Sequence, residues 1–165
     1  MLIVFGGLPG TGKSTIATLV ARHLGATYLR IDTIEQALRA ARAGDVGPEG
    51  YMIAYALAET NLRLGRTVIA DSVNPLPITR DAFRDVAAHC GVRVVEVECV
   101  CSDQAEHRRR VETRTVDVPG LKLPNWEDVL RRNYRPWTAP HLVVDTAVMS
   151  VEAACALVCG AAKGE

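Results

Sequence analysis

Short apolar runs alternate with amphipathic segments along the whole chain. The apolar runs cover residues 2–5, 27–31, 67–70, 92–100 and 142–144, and each is typical of a buried strand. Between them, apolar positions recur at helical spacing over 15–21, 34–43, 51–64, 78–90, 103–114, 126–135 and 151–159. Apolar strands separated by helices predict an α/β fold, in which helices cover both faces of a parallel sheet.

The length and the charge balance narrow this picture. At 165 residues, the chain is predicted to form one domain over residues 1–165. It carries 19 basic and 19 acidic side chains, and a net charge of zero does not favour a nucleic-acid partner. The sequence shows neither a secretory signal nor an apolar stretch of membrane-spanning length, which predicts a cytoplasmic protein with no membrane partner.

The cysteines have two possible roles. There are five of them, at positions 90, 99, 101, 155 and 159, and they contain no C-x-x-C pair. The first interpretation is that they are reduced core residues of a cytosolic protein. A zinc site is the alternative, but it needs neighbouring ligands and the histidines are scattered along the chain.

A glycine-rich motif between the first strand and the first helix carries the strongest chemical signal. It has the form G-x-x-x-x-G-K-S and consists of Gly7, Leu8, Pro9, Gly10, Thr11, Gly12, Lys13 and Ser14, followed by Thr15. The glycines allow backbone N–H groups to converge on a phosphate, and the following helix adds its positive N-terminal end. Lys13 can reach the β- and γ-phosphates, and the Ser14 hydroxyl can bind Mg²⁺. The motif predicts a site for a nucleoside triphosphate and Mg²⁺.

Aspartates follow the later strands. Asp32, Asp71 and Asp145 come at the ends of the second, third and fifth apolar runs. In open parallel sheets, ligands bind at the carboxyl ends of the strands. We therefore expect at least Asp32 and Asp71 to share one crevice with the glycine-rich loop.

Asp32 is the candidate general base. Phosphoryl transfer needs positioning, charge neutralisation and often a carboxylate that accepts the hydroxyl proton. The strand-tip position of Asp32 predicts that it faces the γ-phosphate. The alternative is an N-cap, because Asp32 and Glu35 have the spacing of a capping box.

Asp71 is the candidate second metal ligand beside Ser14. An aspartate at such a strand end commonly holds Mg²⁺ through water. The alternative is a turn residue leading into residues 72–75. Asn74 and Arg80 are weaker candidates for the same wall.

Arg110 and Arg114 are candidates for a lid over residues 108–125. They are spaced i, i+4 on one predicted helix, and residues 115–125 contain Pro119-Gly120 and Pro124. Guanidinium groups on a mobile segment can close over a transferring phosphate. A solvated helix face, with Glu106 and Glu112 as partners, is the alternative.

Aromatic residues are interpreted mainly as packing groups. Tyr51, Met52 and Tyr55 either wall a substrate pocket or, as we favour, pack in the core. Trp126, Tyr134 and Trp137 are predicted to anchor the segment that follows the lid.

These segments resemble the small P-loop kinases related to AAA-family ATPases. The matching segments are residues 7–15, 29–32, 68–74 and 107–114, and the resemblance covers nearly the whole chain. The pattern is most similar to the kinase domain of polynucleotide kinase. Zeta toxins, chloramphenicol phosphotransferase, gluconate kinase and adenylyl-sulfate kinase are similar at greater distance. The resemblance implies a three-layer fold with sheet order 2-3-1-4-5, ATP as donor, Asp32 as base, and Arg110 with Arg114 as lid arginines.

The sequence departs from the family pattern at two places. Some related kinases have D-x-D at the end of the second strand, whereas this chain has Arg30 at the first position. A metal-binding role of the missing aspartate would have to belong to another residue, and Asp71 is the candidate. Residues 33–36 lack the arginine with which polynucleotide kinases bind the substrate phosphate, which weakens the case for a nucleic-acid substrate.

The predicted function is an ATP- and Mg²⁺-dependent kinase, a phosphotransferase with Lys13, Asp32, Arg110 and Arg114 as catalytic residues. Its predicted acceptor is a hydroxyl of a small molecule. The alternatives are a kinase of polynucleotide 5′-hydroxyls, a toxin-like kinase of sugar nucleotides, and a non-catalytic ATP-binding or NTPase module. A GTPase switch is disfavoured because the chain has no N-K-x-D guanine-reading motif.

Overall fold

The computed structural model describes residues 1–42 and 45–164. Five parallel strands form one sheet in the order β2-β3-β1-β4-β5. The strands are β1 (Leu2–Gly6), β2 (Thr27–Arg30), β3 (Val68–Asp71), β4 (Val94–Val100) and β5 (Leu142–Asp145). The predicted parallel α/β fold and the strand order implied by the family resemblance are both confirmed.

Seven helices connect and cover the strands described above. They are α1 (Lys13–Leu24), α2 (Ile31–Arg42), α3 (Glu49–Arg63), α4 (Pro77–His89), α5 (Gln104–Thr113), α6 (Trp126–Arg131) and α7 (Val151–Lys163). The end of the predicted second helix at residue 43, and the beginning of the following loop at residue 44, lie outside the described residues.

Alternation along β1 divides the core into two layers. Ile3 and Phe5 face the cluster formed with α1 and α7, whereas Leu2 and Val4 face the cluster formed with α3 and α4. All four side chains are fully buried, because a strand in the middle of a three-layer fold has no solvent-facing side. This central strand delivers the glycine-rich loop to the carboxyl edge of the sheet.

Several predicted boundaries are wrong, and two of them concern site residues. The second strand ends at Arg30 and α2 begins at Ile31, so Asp32 lies in the first helical turn rather than at the strand tip. Asp71, by contrast, ends β3 as predicted. Helix α5 ends at Thr113, so Arg114 follows the helix, with extended backbone, instead of belonging to it.

No helix within residues 1–42 and 45–164 combines the length and the apolar character needed to cross a membrane.

Candidate active site

The glycine-rich loop requires glycine at positions where its backbone is left-handed and crowded. Gly7 and Gly10 have φ of 138° and 87°. A Cβ at Gly7 would lie 2.2 Å from the backbone oxygen of Cys99, and one at Gly10 would lie 2.5 Å from Val111 Cγ2. Both the conformation and the contacts exclude larger residues, so the loop curls tightly at the beginning of α1.

Neighbouring elements hold the loop and the end of β1 in place through backbone carbonyl groups. Asn74 Nδ2 donates to Phe5 O at 2.9 Å, and His107 Nε2 lies 2.8 Å from Pro9 O. Thr146 Oγ1 lies 3.0 Å from Thr11 O, to which it can donate. The N–H groups of Gly7 and Thr11 donate to Val73 O and Leu8 O. Those of the first turn of α1 have no partner within the helix, so they can face a phosphate. The loop is therefore preorganised for an anion.

A cavity of about 390 Å³ lies between the loop and α2, and we call it the α2 cavity. Its wall includes Lys13, Asp32 and Arg114, together with Pro9, Glu35, Gln36, Arg39, Val73, Gly120, Leu121, Lys122, Pro124 and Arg132. Lys13 is itself buried, with 7% of its surface exposed. The loop lysine, the candidate base and one candidate lid arginine therefore face one space.

A second cavity, the loop cavity, lies along the glycine-rich loop. Its volume is about 400 Å³, and Gly10, Gly12, Ser14 and Thr15 line one side. Lys13 and Arg114 line both this cavity and the α2 cavity. The two spaces therefore meet at two cationic side chains, which is where a bound polyphosphate end would be neutralised.

Asp71 is fixed beside the loop by Tyr28. The Tyr28 hydroxyl donates to Asp71 Oδ2 at 2.6 Å, and burial, followed by the Asp71 charge, raises the pKa of Tyr28 well above its usual range. Asp71 is 1% exposed, and its Oδ1 has no hydrogen-bond partner among the residues that the structure describes. An orphaned carboxylate oxygen of this kind is suited to a water ligand of Mg²⁺.

The described donor set fits Mg²⁺ bound together with a nucleotide. Within residues 1–42 and 45–164, no three His, Cys, Asp or Glu side chains form a group that could hold a metal by themselves. Mg²⁺ usually keeps several waters and takes phosphate oxygens plus one or two protein ligands. Ser14 in the loop cavity and the free oxygen of Asp71 are the residues that would hold it.

Arg114 is half-buried at the junction of the two cavities. Its Nε is buried and has no partner within the described part of the chain. Burial lowers the pKa of the Arg114 guanidinium, although the nearby Asp32 and Asp117 charges oppose this shift. A buried cation with an unused donor is an arrangement that an anionic ligand would stabilise.

Arg110 lies at a different place from Arg114. It donates to Thr146 Oγ1 at 2.8 Å and to Thr146 O at 3.1 Å. It lines a third cavity of about 350 Å³, the Thr146 cavity, with Gly12, Thr15, Ile16, Thr146, Met149, Ser150 and Val151. Because α5 ends between them, the two arginines do not share the single face that the i, i+4 spacing predicted.

Glu106 also holds Arg110. Glu106 Oε1 accepts from Arg110 Nε at 2.7 Å, and Glu106 also pairs with Arg109. Hydrogen bonds from Arg109 first, and then from Arg110, lower the pKa of Glu106 to about 2. The solvated pairing with Glu106 that the sequence offered as the alternative is therefore present, together with the Thr146 contacts.

The lid is tied to the sheet in this conformation. Arg30, at the end of β2, forms a two-pronged ion pair with Asp117 of the lid. A Cβ at Gly120 would lie 2.6 Å from Gln36 Nε2, so the lid backbone passes directly over α2. These two contacts close the α2 and loop cavities from one side.

Two of the weaker candidates have structural contacts instead. Arg80 is 2% exposed and donates to the backbone oxygens of Asn74, Pro75, Arg135 and Pro136. Its guanidinium carbon lies 4.5 Å from the centre of the Trp137 ring. Asn74 is fully buried and has φ of 47°, which asparagine tolerates better than most residues. Arg80 therefore holds Asn74, and Asn74 in turn holds the end of β1 just before the loop.

The aromatic residues pack as predicted, but the predicted core position of Met52 is wrong, because its side chain is 61% exposed on α3. Tyr55 stacks edge-on against Phe83 at 4.6 Å, and the Tyr51 hydroxyl accepts from the Asn74 backbone N–H at 3.2 Å. Trp137 Nε1 donates to the Tyr134 hydroxyl, which in turn donates to Glu98. Trp126 packs edge-on against His107, whose other contact is the loop carbonyl.

Sequence reasoning missed several residues of the cavity walls. On α2, Glu35, Gln36 and Arg39 follow Asp32 at i+3, i+4 and i+7, so a helical face beginning at Asp32 would have revealed them. No pattern in the sequence pointed to Thr146 or Asp117. Asp145 ends β5 as predicted, and its Oδ1 stabilises the following turn by accepting from the Ser102 and Ala147 N–H groups.

The strand order and the loop define the fold of the small P-loop kinases. Known structures of similar fold include the APS kinase CysC of Mycobacterium tuberculosis in complex with AMPPNP and APS. It is 22% identical, has a TM-score of 0.68, and covers 98% of this chain and 96% of its own. A gluconokinase of Sinorhizobium meliloti 1021 is 17% identical with a TM-score of 0.66, covering 98% and 93%.

A third similar structure is that of Kti12 of Chaetomium thermophilum in complex with ADP-AlF3. It is 21% identical and has a TM-score of 0.74, covering 99% of this chain and 98% of its own. The family described as AAA domain matches residues 2–136, and the chain belongs to this family. No match is found among curated proteins.

Proposed function

We propose that the protein is an ATP- and Mg²⁺-dependent kinase that transfers the γ-phosphate to a hydroxyl group of a small molecule. One observation carries the proposal: Lys13, Asp32 and Arg114 line the same α2 cavity. A module that only binds nucleotide has no need of a carboxylate facing the end of the triphosphate.

The chemistry assigns a separate task to each of these side chains. The acceptor hydroxyl oxygen forms a bond to the γ-phosphorus while the bond from that phosphorus to the β,γ-bridging oxygen of ATP breaks, leaving ADP. Asp32 accepts the hydroxyl proton, and Lys13 and Arg114 neutralise the charge on the transferring group. The Asp32 side chain is 35% exposed, so a substrate can reach it.

Binding of the donor is assigned to the glycine-rich loop from Gly7 to Thr15. Mg²⁺, held by Ser14 and through water by Asp71, would neutralise phosphate charge. Arg110 lines the Thr146 cavity beside Gly12 and Thr15, and we assign this cavity to the rest of the nucleotide. The complexes of CysC with AMPPNP and of Kti12 with ADP-AlF3 support nucleotide binding in this fold.

A small acceptor is favoured by the size of the α2 cavity, about 390 Å³, and by the lid contacts that cover it. The similar structures include a gluconokinase and a kinase in complex with APS, which supports a small-molecule acceptor here. We assign the reaction to the cytoplasm, where ATP is available.

The test is a screen of hydroxyl compounds with purified protein, Mg²⁺ and γ-labelled ATP. The panel includes polyols, sugars, nucleosides, sugar nucleotides and a 5′-hydroxyl oligonucleotide, with Lys13→Ala as the negative control. Labelled product from a small molecule, lost in Lys13→Ala, is the expected result. Labelling of the oligonucleotide alone would support the polynucleotide alternative. ATP binding without any labelled acceptor would support an NTPase or a binding module.

A further inference from the structure

The wall of the α2 cavity has an excess of positive charge. Five cationic side chains line it, against only two carboxylates, those of Asp32 and Glu35. The cations are Lys13, Arg39, Arg114, Lys122 and Arg132. The whole chain has equal numbers of acidic and basic residues, so this excess is a local property. A cleft lined by charge of one sign concentrates ligands of the opposite sign.

The carboxylates of the wall already have partners. Glu35 Oε2 lies 3.1 Å from Arg39, and Asp32 Oδ2 lies 3.7 Å from Arg30. Lys122 and Arg132 form no ion pair with any carboxylate of the described residues. Under the proposed function, Lys13 and Arg114 are committed to the triphosphate. Lys122 and Arg132 are therefore cations of the acceptor side without an ion-pair partner in residues 1–42 and 45–164.

The cavity wall takes its other cations from separate elements, and we call Arg39, Lys122 and Arg132 its cationic end. Arg39 is on α2, Lys122 is in the lid, and Arg132 follows the end of α6. Arg39 comes seven residues after Asp32 on the same helix, which is a rise of roughly 10 Å along its axis. The candidate base and Arg39 are thus separated along α2 by about the length of a small phosphorylated or carboxylated sugar.

We propose that the phosphate acceptor is an anionic hydroxyl compound, whose anionic group is bound by Lys122, Arg132 and Arg39 while its hydroxyl lies at Asp32. This inference rests on the proposed kinase function. Phosphate, sulfate and carboxylate share the required chemistry, because guanidinium groups bind their oxygens through paired charge-assisted hydrogen bonds. The Arg39–Glu35 pair would keep Arg39 extended toward the cavity.

The first experiment measures anion binding without turnover. Calorimetry titrates inorganic phosphate, and separately sulfate and acetate, into protein saturated with AMPPNP and Mg²⁺. The nucleotide occupies the loop, so the anion is expected to bind at the cationic end. The double variant Lys122→Gln/Arg132→Gln is expected to bind at least tenfold more weakly. Arg131→Gln is the matched control, because Arg131 is adjacent, highly exposed and paired with Glu127. Equal affinity in all three proteins, or no anion binding in any of them, would overturn the inference.

The second experiment compares matched acceptors. Ribose is paired with ribose 5-phosphate, and glucitol with gluconate and glucitol 6-sulfate. The anionic member of a pair is expected to have the higher kcat/KM, and the double variant is expected to raise its KM at least tenfold with little change in kcat or in the KM for ATP. Neutral acceptors used as well as anionic ones would overturn the inference and leave the kinase function standing. If the parent protein binds the anion but transfers phosphate to none of these acceptors, the kinase function is instead refuted.

Discussion

Arg30 and Asp117 lie 87 positions apart in the sequence and form a two-pronged ion pair. Arg30 Nη1 donates to Asp117 Oδ2 at 2.5 Å and Nη2 donates to Oδ1 at 3.1 Å. Arg30 also lies within 4.0 Å of the buried Asp71 and 3.7 Å of Asp32. The departure from the D-x-D pattern thus places a cation among three carboxylates and links the sheet edge to the lid.

The first prediction concerns this link. Arg30→Met should release the lid, because the β2 contact is lost while the hydrophobic stem is retained. Amide hydrogen exchange over residues 115–124 should become faster in the variant than in the parent. Arg63→Met, which removes an exposed pair with Glu59 on α3, is the control and should leave the lid unchanged. Identical lid exchange in Arg30→Met and the parent would contradict a holding role for the pair.

The same pair predicts a pH dependence. The hydrogen bond from Arg30 is the main reason that the pKa of Asp117 lies below its usual range. A carboxylate with a lowered folded-state pKa stabilises the closed lid at neutral pH, and this contribution is lost as the pH falls through the lowered value. Titration of the Asp117 carboxyl by NMR should give a higher pKa in Arg30→Met than in the parent. An unchanged pKa would mean that the ion pair does not persist in solution.

Replacement of the candidate base separates its two interpretations. Asp32→Asn retains the size of the side chain but cannot accept the hydroxyl proton, so kcat should fall roughly 10²-fold or more. ATP affinity by calorimetry should change little, and the melting temperature reports any loss of helix α2. Phosphotransfer near the parental rate would refute the base. A fall in melting temperature with kcat retained would instead favour a purely stabilising role of Asp32 in the first turn of α2.

The two lid arginines should respond differently to replacement by lysine. Arg114→Lys keeps the charge at the junction of the cavities but loses the planar donor set, so kcat should fall about tenfold or more. Arg110→Lys loses the paired bonds to Thr146, which itself holds Thr11 O, so its main effect should be a higher KM for ATP. Steady-state kinetics with both substrates varied distinguish the two. Parental kinetics in both variants would mean that neither guanidinium group acts in the reaction.

Arg80 gives a prediction about stability rather than catalysis. Arg80→Met leaves the backbone oxygens of residues 74, 75, 135 and 136 without their shared donor, and we expect a loss of about 3 kcal/mol in the free energy of unfolding. Arg63→Met removes only an exposed ion pair and should change the free energy of unfolding little. Chemical denaturation measures both. Equal losses in the two variants would refute the bracing role of Arg80.

The sequence alone predicts the features that depend on short-range periodicity and on the conformation of single residues. Strand periodicity and glycine spacing predicted the α/β alternation and the loop at residues 7–15, because a left-handed, crowded backbone at Gly7 and Gly10 accepts only glycine. The aspartate at the end of β3 followed from the same pattern. The strand order came from the family resemblance, because spacing along the chain does not specify which strands become neighbours.

The distribution of the charged side chains among the cavities depends on the tertiary structure. Because helix α5 ends at Thr113, Arg114 lines the α2 cavity, whereas Arg110 contacts Thr146 in the Thr146 cavity. Arg80 was a candidate for the active-site wall. Its guanidinium group instead donates to four backbone carbonyl groups and packs over two aromatic rings. Arg30 forms an ion pair with Asp117, which lies 87 positions further along the sequence. Charged side chains have no local signature for their partner, because long-range pairing depends on where the packed backbone brings them together.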